Sequence, residues 1–250
     1  MKKLGASAFV LLFVCCQNHQ TSTQTDTLRQ NIDTIVQARA IDTALAGIYK
    51  VILPCSDCEG REHILALYKT GDFRLQESFI GKSLSPAVTR GNWWRNGDEL
   101  QLLDGNIIIN TYELRKDTLV LQAPGNRRED YLVFALRKMN PIVPVGWQKY
   151  KDSGVVFMAS GTEPFWGVKI TNKTAGFQLS DWPRPVEAPI IDPQQETDST
   201  VYTLNAGKKP YTITIYPLFC SDGMSDIVYE YQVRLQYDSL VLKGCGAYTR

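Results

Sequence analysis

The sequence predicts an all-β protein, in which a small antiparallel barrel is followed by a second β-rich domain. From Gly47 onward, apolar and polar residues alternate over short runs, the period expected of strands with one buried face. The runs are separated by turn signals such as Thr70-Gly71-Asp72 and Asn96-Gly97-Asp98, where Gly and Asn tolerate the positive φ of tight turns. Little of the sequence beyond residue 140 has helical periodicity, so strands are expected in both halves.

The N-terminal segment, residues 1–16, resembles a bacterial lipoprotein signal peptide. Two lysines precede the apolar stretch Leu4–Val14, which is too short to span a bilayer as a helix, since that needs roughly 20 residues. We predict lipidation at Cys16, because Cys15 then supplies the small residue before the cleavage site. Lipidation at Cys15 is less favourable, because the bulky Val14 would precede the cut. An ordinary secretory signal is the alternative, and either way the mature chain is expected to be exported.

The charge balance bears on the partners of the mature chain. The full chain has a formal net charge of +1, and removal of the two signal-peptide lysines leaves about −1. No long basic run is present, so a nucleic-acid partner is not expected. The lipid would anchor the protein in the membrane, and residues 17–45 would form a tether that reaches about 30 Å as a random coil. Gln17 does not suggest retention at the inner membrane, and the outer membrane is the expected location.

Residues 46–139 are expected to form the barrel. Eight strands with short links can close on themselves, which removes exposed sheet edges. The predicted strands are 47–53, 61–69, 72–80, 87–95, 98–103, 107–115, 118–122 and 131–138.

Residues 140–150 read as a linker, because Pro141 and Pro144 interrupt both strands and helices. The second β-rich domain is predicted over 151–250, with a long loop at 183–199. Its predicted strands are 154–160, 165–171, 175–181, 200–206, 210–217, 227–236 and 239–244.

Six cysteines occur, of which two belong to the signal region. The remaining four are expected to form disulfides in an oxidising compartment. Three pairings exist on paper, and sequence separation favours Cys55 with Cys58 and Cys220 with Cys245. The second pair would close a loop of about 25 residues, worth about 3.5 kcal/mol in the chain-entropy model.

The Cys55-Ser56-Asp57-Cys58 segment, between the first two predicted strands, has three interpretations. The first interpretation is a structural disulfide, although so short a loop constrains little unfolded-state entropy. The second is a soft-metal site for Cu(I) or Zn(II), to which His63 would add a third ligand. The third interpretation is a thiol–disulfide centre. The flanking strands argue against it, because a redox Cys-x-x-Cys pair usually lies at a helix start, which lowers the pKa of the first thiol. Copper is the candidate cofactor.

Hydrolytic chemistry is disfavoured by the sequence. Of the two histidines, only His63 lies in the folded region, and no Gly-x-Ser-x-Gly, His-Glu-x-x-His or phosphate-binding glycine loop is present. The chain is therefore predicted not to be an enzyme.

A second candidate site lies in the C-terminal half. It comprises the segments 161–166, 220–226 and 244–246, which include the Cys220–Cys245 pair. The structural interpretation is that this disulfide pins the last strand beside a polar turn. The functional alternative is a ligand groove lined by Glu163, Trp166, Asp222 and Asp226.

The run Gly47–Gly60, with its core Leu-Pro-Cys-Ser-Asp-Cys-Glu-Gly, resembles the start of the N-terminal domain of the NlpE family. Tyr68–Phe73 and Gly91–Trp93 fit the hairpins of that domain, so the resemblance covers about 45–138. It implies a lipocalin-like small barrel, an outer-membrane lipoprotein, and roles in copper resistance, surface sensing and signalling to an envelope-stress kinase. The family's Cys-x-x-Cys maps onto Cys55 and Cys58.

The second half departs from that family's usual C-terminal domain and resembles a domain of uncharacterised bacterial envelope lipoproteins. The function expected is therefore a non-enzymatic sensor or binding protein in copper homeostasis or envelope stress, with an envelope protein as a candidate partner. The alternatives are a lipocalin-like carrier of a small apolar ligand and a structural or adhesive surface lipoprotein.

Overall fold

The first sheet of the protein is a closed eight-stranded antiparallel barrel, β1–β8 in sequence order. The computed structural model describes residues 41–122, 132–207 and 209–249. The signal peptide, the lipidation site at Cys16 or Cys15, and most of the predicted tether lie outside these residues. The strands are β1 Gly47–Leu53, β2 Gly60–Leu67, β3 Asp72–Ile80, β4 Ala87–Asn96, β5 Glu99–Asp104, β6 Ile107–Arg115, β7 Thr118–Leu121 and β8 Ala135–Asn140.

The barrel closes because β1 pairs with β8, so that Ile48 faces Asn140 across the seam. Large apolar side chains fill most of the interior, with Tyr49, Leu65 and Trp93 almost fully buried. The predicted all-β class and barrel are confirmed. The eighth strand begins at Ala135 rather than at residue 131.

The second sheet has nine strands in the order β12-β11-β10-β9-β19-β18-β15-β14-β13, and a two-stranded ribbon, β16 with β17, lies beside it. Helix α1, Val145–Gln148, lies within the predicted linker. The strands are β9 Val155–Thr162, β10 Phe165–Thr171, β11 Thr174–Leu179, β12 Val186–Pro189, β13 Gln194–Gln195, β14 Thr200–Ala206, β15 Lys209–Tyr216, β16 Cys220–Ser221, β17 Val228–Tyr229, β18 Tyr231–Tyr237 and β19 Leu240–Tyr248.

The prediction of a long loop over 183–199 is wrong in part. Within that range β12 pairs with β11, and β13 pairs with β14. One face of the sheet holds a core that includes Phe157, Val168 and Phe177. Residues Ala40–Arg250 form one compact unit, so an independent second domain stays a prediction. Among the described residues, no helix has the length and apolar character needed to cross a membrane.

The outer face of β2 is buried as well as its inner face. Ile64 and Ala66 alternate with the inward-facing Leu65 and pack against Phe219, which precedes β16, and Val228 of β17. Strands covered on both faces read as continuous apolar runs rather than alternating ones. This explains why Ile64–Leu67 is apolar throughout.

Candidate functional site

The Cys-x-x-Cys loop lies at the end of the barrel where β1 passes into β2. Cys55 and Cys58 form a disulfide with a Cα–Cα distance of 5.4 Å. The loop projects toward solvent, since Ser56 and Asp57 are exposed and both cysteines are partly exposed. Its C-terminal end is fixed by the Glu59 amide, which donates to the Ile80 carbonyl at 3.3 Å.

Asp57 provides the third polar group of this loop. The sulfurs of Cys55 and Cys58 and a carboxylate oxygen of Asp57 lie within 4.8 Å of one another, and they form the one group of three metal-ligating side chains in the described part of the chain. Lys82 donates a hydrogen bond to Asp57 and lowers the pKa of that carboxyl below its ordinary value. The loop therefore carries an ionised carboxylate beside its disulfide.

His63 does not join the cysteines. Its side chain is fully buried inside the barrel, where Nδ1 lies 3.0 Å from Glu77 Oε1 and Nε2 lies 2.9 Å from the Tyr112 hydroxyl. Both ring nitrogens are thus occupied by hydrogen bonds. The prediction that His63 adds a ligand to the two thiols is not supported by this geometry, because a buried histidine satisfied on both sides has no free lone pair to offer.

The polar groups around His63 reach a cavity at the same end of the barrel. The cavity has a volume of about 410 Å³ and is lined by Arg61, Glu77 and Asn110 among others. The hydrogen bond from His63 is the main cause that lowers the pKa of Glu77. Desolvation raises the pKa of Tyr112, so its phenol stays protonated. Sequence reasoning did not find this network, since Tyr112 lies 49 residues from His63.

The predicted site residues of the second sheet are not brought together as a groove. Trp166 is buried against two glycines: a Cβ at Gly161 would lie 2.2 Å from Trp166 Nε1, and a Cβ at Gly244 would lie 2.7 Å from Trp166 Cζ2. These segments therefore make room for an indole ring across neighbouring strands. Cys220 and Cys245 are joined by a disulfide with a Cα–Cα distance of 5.5 Å, the pairing favoured by sequence separation.

The Asp222 carboxylate stabilises the turn in which it lies. Its Oδ1 accepts hydrogen bonds from the amides of Met224 (3.0 Å) and Ser225 (2.9 Å), and the Tyr229 hydroxyl donates to Oδ2 at 3.3 Å. These hydrogen bonds outweigh partial burial, which acts in the opposite direction, and lower the pKa of Asp222. Glu163 and Asp226 are exposed. The carboxylates of the predicted groove thus belong to turns.

A groove of about 600 Å³ is present on the opposite face of the second sheet. Trp166 belongs to its lining, whereas Glu163, Asp222 and Asp226 do not. Gly167 and Gly176 form part of its floor, because they alternate with the core residues of β10 and β11. Further lining residues are Trp147, Met158, Phe165 and Pro185.

These features define a class of protein: a small closed antiparallel barrel that presents an exposed, disulfide-closed Cys-x-x-Cys loop at one end. Residues 49–129 match the family model described as the NlpE N-terminal domain. The resemblance to the NlpE family is thereby confirmed for the barrel.

The curated protein Lipoprotein NlpE of Escherichia coli (strain K12) is 30% identical to this chain over 121 residues. The aligned segment is 47% of this chain and 51% of that protein. The chain thus spans about half the length of this relative.

Two solved structures are also similar. The crystal structure of the Cpx pathway activator NlpE from Escherichia coli is 18% identical, covers 79% of this chain and 95% of its own, and has a TM-score of 0.30. The crystal structure of a Shewanella oneidensis protein described as a lipoprotein is 25% identical, covers 40% of this chain and 97% of its own, and has a TM-score of 0.31.

Proposed function

We propose that the protein is a non-enzymatic, lipid-anchored lipoprotein of the cell envelope that senses redox state or soft metal in envelope stress or copper homeostasis. The observation that carries the proposal is the partly exposed Cys55–Cys58 disulfide, in a loop at the end of a barrel whose residues 49–129 match the NlpE N-terminal domain. A disulfide that closes so short a loop adds little stability, and an accessible disulfide is open to exchange with thiols. Both properties suit a sensor better than a staple.

Copper fits this loop in one redox state. In the disulfide, the two sulfurs are not thiolates, so they bind a soft metal only weakly. After two-electron reduction by an external dithiol, Cys55 and Cys58 would offer two thiolates, the ligand type that selects Cu(I). Asp57 would add a carboxylate, a harder ligand that contributes less to Cu(I). Metal binding is therefore proposed for the reduced form.

The first test is intact mass with thiol labelling, before and after reduction, on protein purified from the envelope. Reduced protein is then titrated with Cu(I) against a competing chelator. We expect binding by the wild type and by Ser56→Ala, which alters the loop but keeps both thiols. Cys55→Ser/Cys58→Ser should bind no copper. A strain with that double variant that tolerates copper and oxidative stress as well as wild type would rule out the proposed role.

A second candidate function is the binding of a small apolar ligand, and the groove on the second sheet favours it. The barrel interior is largely packed by side chains, which disfavours an apolar ligand there. The groove instead combines Trp147, Phe165 and Met158 with a glycine floor, and its volume lies within the range of ligand pockets, about 300–1,000 Å³. Lipid extraction and mass spectrometry of natively purified protein would test this function. A Gly167→Leu variant that retains the same extracted molecule would argue against the groove.

A further inference from the structure

The polar cavity at the end of the barrel is not used by either proposed function. It lies among β2, β3, β6 and β7, and Arg61 follows the disulfide loop by three residues. Arg61 and Glu77 bring one positive and one negative charge to it, while Ile108 and Leu121 add apolar surface. A pocket of this kind, with a few convergent polar groups beside apolar side chains, is typical of a small-molecule site.

Glu77 is held in place by a directional chain of hydrogen bonds. Asn110 Nδ2 donates to the Tyr112 hydroxyl at 3.1 Å. With Tyr112 donating to His63 Nε2, the imidazole carries its hydrogen on Nδ1 and donates to Glu77 Oε1. Each donor thus points toward the carboxylate, which stays ionised. This chain of hydrogen bonds ends at Oε1 of Glu77. Among the described residues, none donates a hydrogen bond to Oε2.

Arg61 is incompletely paired with the carboxylate beside it. Its Nε lies 3.5 Å from Glu77 Oε1, and this buried nitrogen makes no hydrogen bond among the described residues. The side chain is 37% exposed and lines the cavity. An arginine that is not fully paired can bind the carboxylate of a ligand by donating two parallel N–H hydrogen bonds to it.

We propose that this cavity binds a free α-amino acid with an apolar side chain. The ligand carboxylate pairs with Arg61, its ammonium group pairs with Glu77 Oε2, and its side chain lies on Ile108 and Leu121. The spacing of the protein charges favours an α-amino acid, because the two ligand charges are one carbon apart and the protein charges are adjacent. A simple anion or cation would meet a like charge in the cavity, which disfavours binding.

Isothermal titration of the purified protein with L-leucine tests the proposal. Isocaproate, which lacks the ammonium group, and isoamylamine, which lacks the carboxylate, serve as matched probes. We expect L-leucine to bind and each analogue to bind about tenfold more weakly or worse, since a hydrogen-bonded charge is lost. Arg61→Gln and Glu77→Gln should each weaken leucine binding to a similar extent.

The control is Arg137→Gln, which removes an exposed arginine on β8, next to the inward-facing Leu136. It should leave leucine affinity unchanged. Melting curves of each variant separate a loss of affinity from a loss of fold. The proposal is overturned if no apolar amino acid binds at millimolar concentration, or if leucine binds Arg61→Gln and Glu77→Gln as it binds wild type. Cys55→Ser/Cys58→Ser should bind leucine normally, so this test is independent of the sensing role.

Discussion

The Tyr68 hydroxyl, just after β2 of the barrel, donates a 2.7 Å hydrogen bond to Oε1 of Glu230, which lies between β17 and β18. Arg74 of the barrel donates to the Glu230 carbonyl at 2.7 Å and lies 3.7 Å from the same Oε1. The guanidinium stacks over the Phe219 ring at 4.2 Å. A buried charge pair thus connects the two sheets, and it is surrounded by apolar contacts.

Glu230→Gln should destabilise the whole unit. The substitution leaves the buried Arg74 without its carboxylate, and breaking a buried pair costs about 3 kcal/mol. Tyr68→Phe, which removes one hydrogen bond, should cost only about 1 kcal/mol. Urea denaturation followed by tryptophan fluorescence measures both values. Equal losses in the two variants would contradict the importance of the charge pair.

The barrel should lose stability in acid through Glu77. Its pKa in the folded protein lies below the ordinary value of 4.5, so its contribution is present above that value and is lost as pH falls through the folded pKa. The difference in unfolding free energy between wild type and Glu77→Gln should therefore be largest near neutral pH and shrink below about pH 4.5. Denaturant titrations from pH 3 to pH 7 measure it. A difference that does not vary with pH would refute this role of the His63 hydrogen bond.

Gly244→Ala should destabilise the second sheet. A Cβ at this position would lie 2.2 Å from the Ser160 carbonyl oxygen and 2.7 Å from the Trp166 ring. Overpacking of this kind costs about 1–3 kcal/mol. Gly146→Ala is the matched control, because a Cβ there meets nothing within 4 Å. Thermal unfolding compares the two variants, and similar melting temperatures would show that the backbone accommodates the methyl group.

The two disulfides should differ in their contribution to stability. Loss of Cys220–Cys245, with a sequence separation of 25, should cost about 3.5 kcal/mol in the chain-entropy model. Loss of Cys55–Cys58, with a separation of 3, should cost about 2 kcal/mol or less. Paired serine variants and guanidinium denaturation give both values. The reverse order would argue that the exposed loop is the main structural staple.

Most barrel strands were predictable because they carry period-2 alternation between clear turn residues. In β2, where Ile64–Leu67 is apolar throughout, the flanking turns marked the strand. Four short strands of the second half were not predicted separately. β12 and β13 lie in a proline-containing segment, and β16 and β17 contain two residues each, too few to show a period. Their pairing depends on neighbouring strands rather than on local sequence.

The two disulfide pairings were predictable from the sequence, whereas contacts between side chains of distant strands were not. Cys55 and Cys58 could be paired from spacing alone. The environment of His63 could not be predicted, because Glu77 and Tyr112 reach it from other strands. The same holds for Trp166 and Gly244, which meet across two strand pairings.

The pairing of β9 with β19 affects the order in which the two sheets can fold. The barrel is a meander, so its strands find neighbours in sequence and it can form early during synthesis or export. The centre of the second sheet joins its first strand to its last. Until residues 240–248 arrive, β9 remains without that partner, and its exposed edge is open to chaperones or to proteolysis. Truncation near the C-terminus should therefore leave the second sheet unassembled, and it should also weaken the barrel, because the buried Arg74 then loses Glu230 as its partner.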